Sequence, residues 1–397
     1  MADSTRAILH IAPTPFFSDR GCHIRIEGEV RCLTKNGYNN TVCTYHHGRD
    51  VASVSTQRIK PIAAYTQTEA GPSKHKLLAD WRLLWLVFNQ YRKLKPLALH
   101  AHLHEGLLIG FVVKMLFFWR ATPLIADMQG SLVGELESHG SFTKRPYLKS
   151  PLTVLEKISM WCATHIVCSN SHSVDKLISE FGIRTDKISL SQDGADPFTA
   201  VDQSMQTALL DQYQIDADKT VAVYTGALLE AKGLEELKQL ILNCAGKHAD
   251  LHFLIIGYPI ENLSPFLAEH KLNDFCTLTG QIDFDQLPAY LSIADIAIDP
   301  KKSAAGEGSG KMLNYLAAGL PVVAFESLNN REFLPSETEL AKSGKELSTI
   351  LLGLIENREQ RTKIAKANLK QFQDHYSWDV TQQQLAAVYR RVVEKSG

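Results

Sequence analysis

With 397 residues the chain is longer than one hydrophobic core usually supports, so two domains of about 150 to 200 residues each are expected. Its 45% hydrophobic and 21% charged residues and net charge of -1 exclude a disordered chain and a nucleic-acid binder, leaving any basic surface local. Seven cysteines form no CxxC pair and sit mostly in apolar runs, which points to buried thiols in a reducing, cytoplasmic setting.

The N-terminal run Ala7–Ala12 is too short for a signal-peptide core and reads as a first buried strand. A helix over about 23–36 and a strand over 41–45 follow, with the turn pair Asn36 and Gly37 between them. A helix over 74–95 gathers Leu77, Trp81, Leu84, Trp85, Phe88 and Tyr91 on one face, with Lys74, Lys76, Arg82, Arg92, Lys93 and Lys95 around it. Such a helix either packs on a core or lies on an anionic membrane surface. The apolar stretch 107–119 falls short of the roughly 20 residues that span a bilayer. Further strands are expected at 97–101, 123–126 and 165–168, and a second series at 221–224, 252–256, 276–278, 296–298 and 321–324. This alternation predicts βαβ units in two parallel-sheet α/β halves that meet near residues 190–200. The closing segment 376–393 carries Trp378, Leu385, Val388, Tyr389 and Val392 at helical spacing and needs a surface to pack on.

Ligands of parallel sheets sit at the carboxyl ends of the strands, so the loops there are the candidates. Gly21 and Cys22 precede the first helix, as an ordinary turn or as a close approach to a ligand. His102 and His104 would alternate to opposite faces if the strand continued, which argues against a shared metal. Asp127 and Gln129 follow the strand 123–126, suited to sugar hydroxyls, although Asp127 equally fits a helix cap. Between strand and helix, Gly226, Lys232 and Gly233 suit a diphosphate held by backbone amides and an ammonium. Neither first βα turn has G-x-G-x-x-G, which speaks against a nicotinamide dehydrogenase. Three alternate glycines, Gly306, Gly308 and Gly310, open a short helix that ends at Gly319 before Pro321. Asp283, Phe284 and Asp285 have the DxD form of some metal sites but stand where a helix cap is expected.

Taken in order, these pieces resemble the retaining family-four (group 1) glycosyltransferases of the GT-B fold. The resemblance rests on the Gly21 loop, the strand ending at His102, Ser191 to Phe198 where the family has an Asn-Gly-Val-Asp run, Gly226 to Gly233, Gly280, Ala294-Asp295, and Ala317 to Val323. It implies two Rossmann-like domains facing each other across a cleft: an acceptor domain, 1–198, to which 376–397 returns, and a donor domain, 199–375. It implies a retaining, metal-independent transfer from a UDP- or GDP-linked sugar, with no cofactor. The acceptor would be a glycan or a polyprenol-linked glycan in surface polysaccharide synthesis, reached from the cytoplasm at the inner face of the membrane. Donor contacts would come from Gly226, Lys232, Gly257, Glu307, Gly308, Ser309, Gly310, Lys311 and Asn314. Lys232, Asp127 and His104 would be catalytic, and Gly21, Cys22 and Gln129 would lie on the acceptor side. Two positions depart from the family. Ala227 stands where an arginine is usual, and Asn314 and Gly306 stand where two glutamates are usual, with Glu307 one place out of register. These departures keep open a second reading, a GT-B binding or scaffold subunit without turnover.

Overall fold

Each series of strands forms its own parallel sheet in this computed structural model, which describes residues 6–18, 21–65, 75–138, 142, 145–248, 250–302 and 310–393. The chain divides into a first unit, Met1–Gly194 with Trp378–Gly397, and a second, Ala195–Ala304 with Ser309–Ser377.

The first unit holds β1 (Ala7–Ala12), β2 (Asn39–Thr44), β3 (Thr56–Arg58), β4 (Ala98–His102), β5 (Leu124–Met128), β6 (His165–Cys168) and β7 (Ile188–Leu190) in the order β3-β2-β1-β4-β5-β6-β7. Because side chains alternate across a strand, each strand serves two layers. Leu9, Ile11, Leu99, Ala101, Leu124 and Ala126 join a core with Ala79, Leu83 and Val87 of the helix Lys76–Leu94 and Val113 of the helix Leu103–Leu116. Ile8, Ala98, Ile125 and Val167 pack instead with Cys32 and Leu33 of the helix Gly21–Lys35 and with Trp378, Leu385 and Tyr389 of the helix Trp378–Val392. The closing segment thus finds its surface on the first unit.

The second unit holds β8 (Thr220–Thr225), β9 (Leu251–Ile256), β10 (Cys276–Leu278), β11 (Ile296–Asp299), β12 (Val322–Phe325) and β13 (Leu340–Ala341) in the order β10-β9-β8-β11-β12-β13. One face packs under the helices Leu234–Cys244 and Gly344–Glu356, the other under the helix Gly310–Ala317. Both sheets reverse their order once, between β1 and β4 and between β8 and β11, so each has a topological switch point.

Two boundaries change the reading of the sequence. β5 runs on to Met128, which places Asp127 inside the strand and removes it from any helix cap. β4 stops at His102, Leu103 turns with φ of 60°, and His104 belongs to the following helix. His102 and His104 therefore do not alternate on one strand. The short strands β3, β7 and β13 were not expected; each lies at a sheet edge, where pairing on one side alone suffices. Among the described residues no helix is long and apolar enough to cross a membrane.

The docking of the C-terminal helix depends on a residue without a side chain. A Cβ on Gly28 would lie 2.0 Å from the indole of Trp378, and one on Gly194 would lie 2.7 Å from the same ring. Gly28→Ala would raise helix propensity by about 1 kcal/mol, but overpacking by about 1–3 kcal/mol opposes it. We expect a lower melting temperature for Gly28→Ala, with a smaller loss when Trp378 is already leucine. A variant more stable than the wild type would show that the ring moves aside freely.

Candidate functional site

In the second unit glycines bring backbone close to backbone at the carboxyl ends of β8, β9 and β11. The loop leaving β8 follows the one leaving β9: Gly226 N–H donates to Ile256 O at 3.0 Å and Leu228 N–H to Tyr258 O at 3.0 Å. Gly257 lies against this loop, and a Cβ there would be 2.4 Å from Gly226 O. Gly233, with φ of 86°, is the N-cap of the helix Leu234–Cys244 and lies against the exit of β11, where its Cβ would meet Pro300 O at 2.5 Å. Only glycine fits either close approach. Lys232 ends the short turn Glu230–Lys232 just before Gly233, half-buried, and so is held beside the crevice between β8 and β11.

The floor of this crevice is braced by Tyr315, which is fully buried on the helix Gly310–Ala317. Its hydroxyl accepts from Thr225 N–H at 2.8 Å, lies 2.9 Å from Thr225 Oγ1, and donates to Ile298 O at 3.4 Å. Burial pushes this phenol up to about 12, so it stays a hydroxyl. Gly310 opens the same helix, and Asn314 lies on it half-buried. Lys311 is not a free cation, because its Nζ lies 2.6 Å from Asp299 Oδ1 and over the Tyr224 ring at 4.8 Å from the centroid. Ala227, in the usual arginine position, gives its carbonyl to Tyr224 Oη at 2.9 Å. Glu307, Gly308 and Ser309 lie outside the described residues. Asp283 occupies the N-cap position of the turn Phe284–Gln286 but makes no side-chain cap bond.

In the first unit Gly21 begins the first helix with open space where a Cβ would stand, and Cys22 beside it is half-buried. The loop after β1 is fixed by His23, whose Nδ1 accepts from Ser18 N–H at 2.9 Å and whose Nε2 lies 2.6 Å from Thr14 Oγ1. His104 Nε2 accepts from Leu132 N–H at 3.2 Å, so it orders the start of the helix Leu132–Ser138.

Asp127 requires a correction. It is buried at 2% exposure on the strand, and Arg25 Nε donates to Oδ1 at 2.9 Å, while His102 Nδ1 and Gln129 Nε2 lie 2.9 Å and 2.6 Å from Oδ2. A carboxylate so engaged organises its neighbours and offers no surface to a sugar, and Gln129 is turned inward to it. Burial disfavours the Asp127 charge, but Arg25 outweighs it and holds the carboxyl well below the usual range.

Around Asp127 lies a cluster that the sequence reading missed. Arg25 donates to Asp193 Oδ1 at 2.6 Å and Ser191 O at 3.1 Å and lies 2.9 Å from Glu29. His100 and His102 share one face of β4, and β1 brings His10 alongside in register with His100. Burial, aided by His102, lowers His10 to about 3 and His100 well below its usual value. The available signal was a pair of histidines at i and i+2 inside an apolar strand, and Arg25 and Glu29 at i and i+4 on a helix whose neighbours are apolar.

Residues 205–371 match the model of the family described as glycosyl transferases, group 1. The chain is 20% identical over 335 residues to an alpha-D-kanosaminyltransferase of Streptomyces kanamyceticus, covering 79% of this chain and 83% of that protein. Among solved structures it is similar to a sucrose-phosphate synthase of Thermosynechococcus elongatus, with TM-score 0.81, 15% identity and coverage of 98% of this chain and 100% of that one. It is also similar to Anabaena Alr3699/HepE in complex with UDP, with TM-score 0.74, 14% identity and coverage of 97% and 100%.

Tyr315→Phe tests the brace under the crevice. It leaves the Thr225 N–H without its acceptor, and a buried donor left so costs about 1–3 kcal/mol. Denaturant unfolding should show a loss of that size; a midpoint equal to wild type would mean the hydroxyl holds nothing.

Proposed function

We propose that the protein transfers a sugar, with retention, from a nucleoside diphosphate sugar to a glycan or polyprenol-linked acceptor, a reading supported by the match of residues 205–371 to the group 1 glycosyl transferase model and by the GT-B fold. The observation that carries this reading is the close approach of Gly233, which follows Lys232 and opens the helix Leu234–Cys244, to Pro300 at the switch point between β8 and β11, where helix amides and one ammonium group serve a diphosphate. As the glycosidic bond breaks, negative charge builds on the leaving diphosphate. Lys232 and the first-turn amides of the helix Leu234–Cys244 stabilise it, with the N-terminus of the helix at Gly310 adding partial positive charge. UDP is the first nucleotide to try, because HepE was solved with it. No protein nucleophile is assigned, and no metal is assigned to this chemistry. Asp127 acts as a positioning residue, through Gln129 and His102.

The choice of a lipid-linked acceptor rests on the outer surface of the first unit. Trp81 and Trp85 on the helix Lys76–Leu94 are 57% and 50% exposed, Trp119 is 66% exposed and Trp161 is 59% exposed. The helix Leu103–Leu116 packs against both Lys76–Leu94 and Lys149–Trp161, which makes this one neighbourhood, and Arg92, Lys93, Lys95 and Arg120 are exposed there. Exposed tryptophans beside basic residues suit an anionic lipid surface. The proposed reading therefore has the protein working at the inner face of a membrane. The 24% identity over 183 residues to a 2-deoxystreptamine glucosyltransferase of Streptomyces kanamyceticus favours a small acceptor instead, and the vesicle experiment below bears on that choice.

Two outcomes are expected. Lys232→Ala should lower sugar transfer from UDP-sugars by about 10²- to 10³-fold with the melting temperature unchanged. Turnover equal to wild type would remove its role, and UDP binding without hydrolysis or transfer in the wild type would favour the scaffold reading. Replacing Trp81 and Trp85 with serine should release the protein from phosphatidylglycerol vesicles in a flotation assay, whereas a wild type that never floats would turn the acceptor towards a soluble one.

A further inference from the structure

Glu29, His100, His102 and Asp127 present four ligand atoms that all lie within 4.8 Å of one another in the interior of the first unit. The closest separations are 2.9 Å from His102 Nδ1 to Asp127 Oδ2, 3.5 Å from His100 Nε2 to Glu29 Oε2, and 3.8 Å from His102 Nδ1 to Glu29 Oε2. Ligands about 2.0–2.1 Å from a tetrahedral zinc ion stand about 3.3 Å apart, so these separations bracket the edge of such a tetrahedron. Glu29 Oε2 and His100 Nε2 are fully buried, and among the described residues neither has a hydrogen-bond partner, while Glu29 Oε1 is held by Arg25.

The hydrogen bonds around the cluster fix which atoms carry lone pairs. Asn40 donates its amide hydrogens to Val30 O, Thr34 Oγ1 and Tyr38 O, which turns its Oδ1 towards His10 Nε2 at 3.1 Å. His10 therefore carries its hydrogen on Nε2 and accepts at Nδ1, and the donor there, at 3.0 Å, is His102 Nε2. His102 Nδ1 then faces Asp127 Oδ2 at 2.9 Å, and either a proton or a bound cation must lie between the two. His100 is held in the same way from behind, with Nδ1 at 2.8 Å from the Tyr389 hydroxyl. Arg25 stands behind the two carboxylates, with Nη2 2.9 Å from Glu29 Oε1 and 2.8 Å from Asp127 Oδ1. Metal-binding histidines and carboxylates show this arrangement, each ligand oriented by a partner on its far side.

Charge points the same way. Three carboxyl groups, Glu29, Asp127 and Asp193, gather on the single guanidinium of Arg25, and a divalent cation held between Glu29 and Asp127 lets both bind as carboxylates. Two imidazoles and two carboxylates form an N₂O₂ set suited to zinc.

We propose that Glu29, His100, His102 and Asp127 bind one structural zinc-class divalent cation, which pins the helix Gly21–Lys35 to β4 and β5 beneath the C-terminal helix. The ion is enclosed within the first unit and binds as that unit folds. It has no open coordination position for a substrate.

The test is the metal content of the full chain, expressed and then refolded with and without added zinc sulfate, read by elemental analysis after gel filtration in EDTA. About one zinc per chain is expected, together with a melting temperature at least about 5 °C higher than that of chain refolded in chelator. Refolding with cobalt(II) should give the visible absorption of a tetrahedral cobalt ion. Glu29→Gln and His100→Gln should each reduce retained zinc by tenfold or more. Zinc below a tenth of an equivalent, with the same melting temperature in chelator, would overturn the site and leave two protons as the neutralising charge. Full retention of zinc in both variants would overturn it as well, since the ion would then sit elsewhere. Should either variant fail to fold, the wild-type zinc stoichiometry and cobalt spectrum still decide.

Discussion

An arginine buried with three carboxylates is the constraint around which the first unit is arranged. A charge removed from water must be paired at short range, and the partners of Arg25 come from distant parts of the chain: Glu29 from its own helix, Asp127 from β5, and Asp193 from the segment after β7. The requirement fixes the first helix on the sheet. The same layer holds His10, His100 and His102, and the C-terminal helix closes it through Tyr389 and Trp378. A sheet face that would otherwise be wholly apolar is therefore polar in one patch, and the residues around it are set by hydrogen-bond complementarity as much as by volume.

The second unit solves a different problem. Its charged groups stand at the ends of the strands, and its tightest contacts are between backbones, at Gly257 against Gly226 and at Gly233 against Pro300. The second contact lets the helix Leu234–Cys244 begin against the exit of β11, and the first-turn amides of a helix have no intrahelical acceptor. Tyr315 ties the two strand ends together from below, so the crevice is held rigid by a hydroxyl that no ligand needs to touch.

The architecture was legible because it is written in long apolar runs. The strands at Ala7–Ala12, His165–Cys168 and Cys276–Leu278 follow directly from the sequence, and the parallel α/β arrangement follows from the helices between them. The edge strands Thr56–Arg58, Ile188–Leu190 and Leu340–Ala341 were not legible, since two or three residues carry no period. The error at Asp127 has a simpler cause. A carboxylate after an apolar run reads as a strand end, whereas here the cost of burying it is offset by Arg25, 102 residues earlier in the chain. That compensation is tertiary and invisible locally. His100 was passed over for the same reason, although its spacing of two from His102 already placed both on one face.

The two departures from the family pattern can be weighed by electrostatics. On the proposed reading a diphosphate needs cations at the strand ends, and Lys311 looks like a replacement for the arginine absent at Ala227. Yet Lys311 is paired with Asp299 at 2.6 Å, and the Asp299 side chain is only 6% exposed. Drawing the ammonium group towards a phosphate would strand that carboxylate in a buried site, a penalty larger than a solvent-exposed phosphate contact returns. Lys311 is better understood as a structural partner that fixes the exit of β11. The charge of a leaving group then falls on Lys232 and on the aligned amides, which act without rearrangement because Gly257 and Gly233 already hold the backbone in place. An alanine at position 227 is compatible with turnover to the extent that this fixed backbone field does the work of the missing guanidinium.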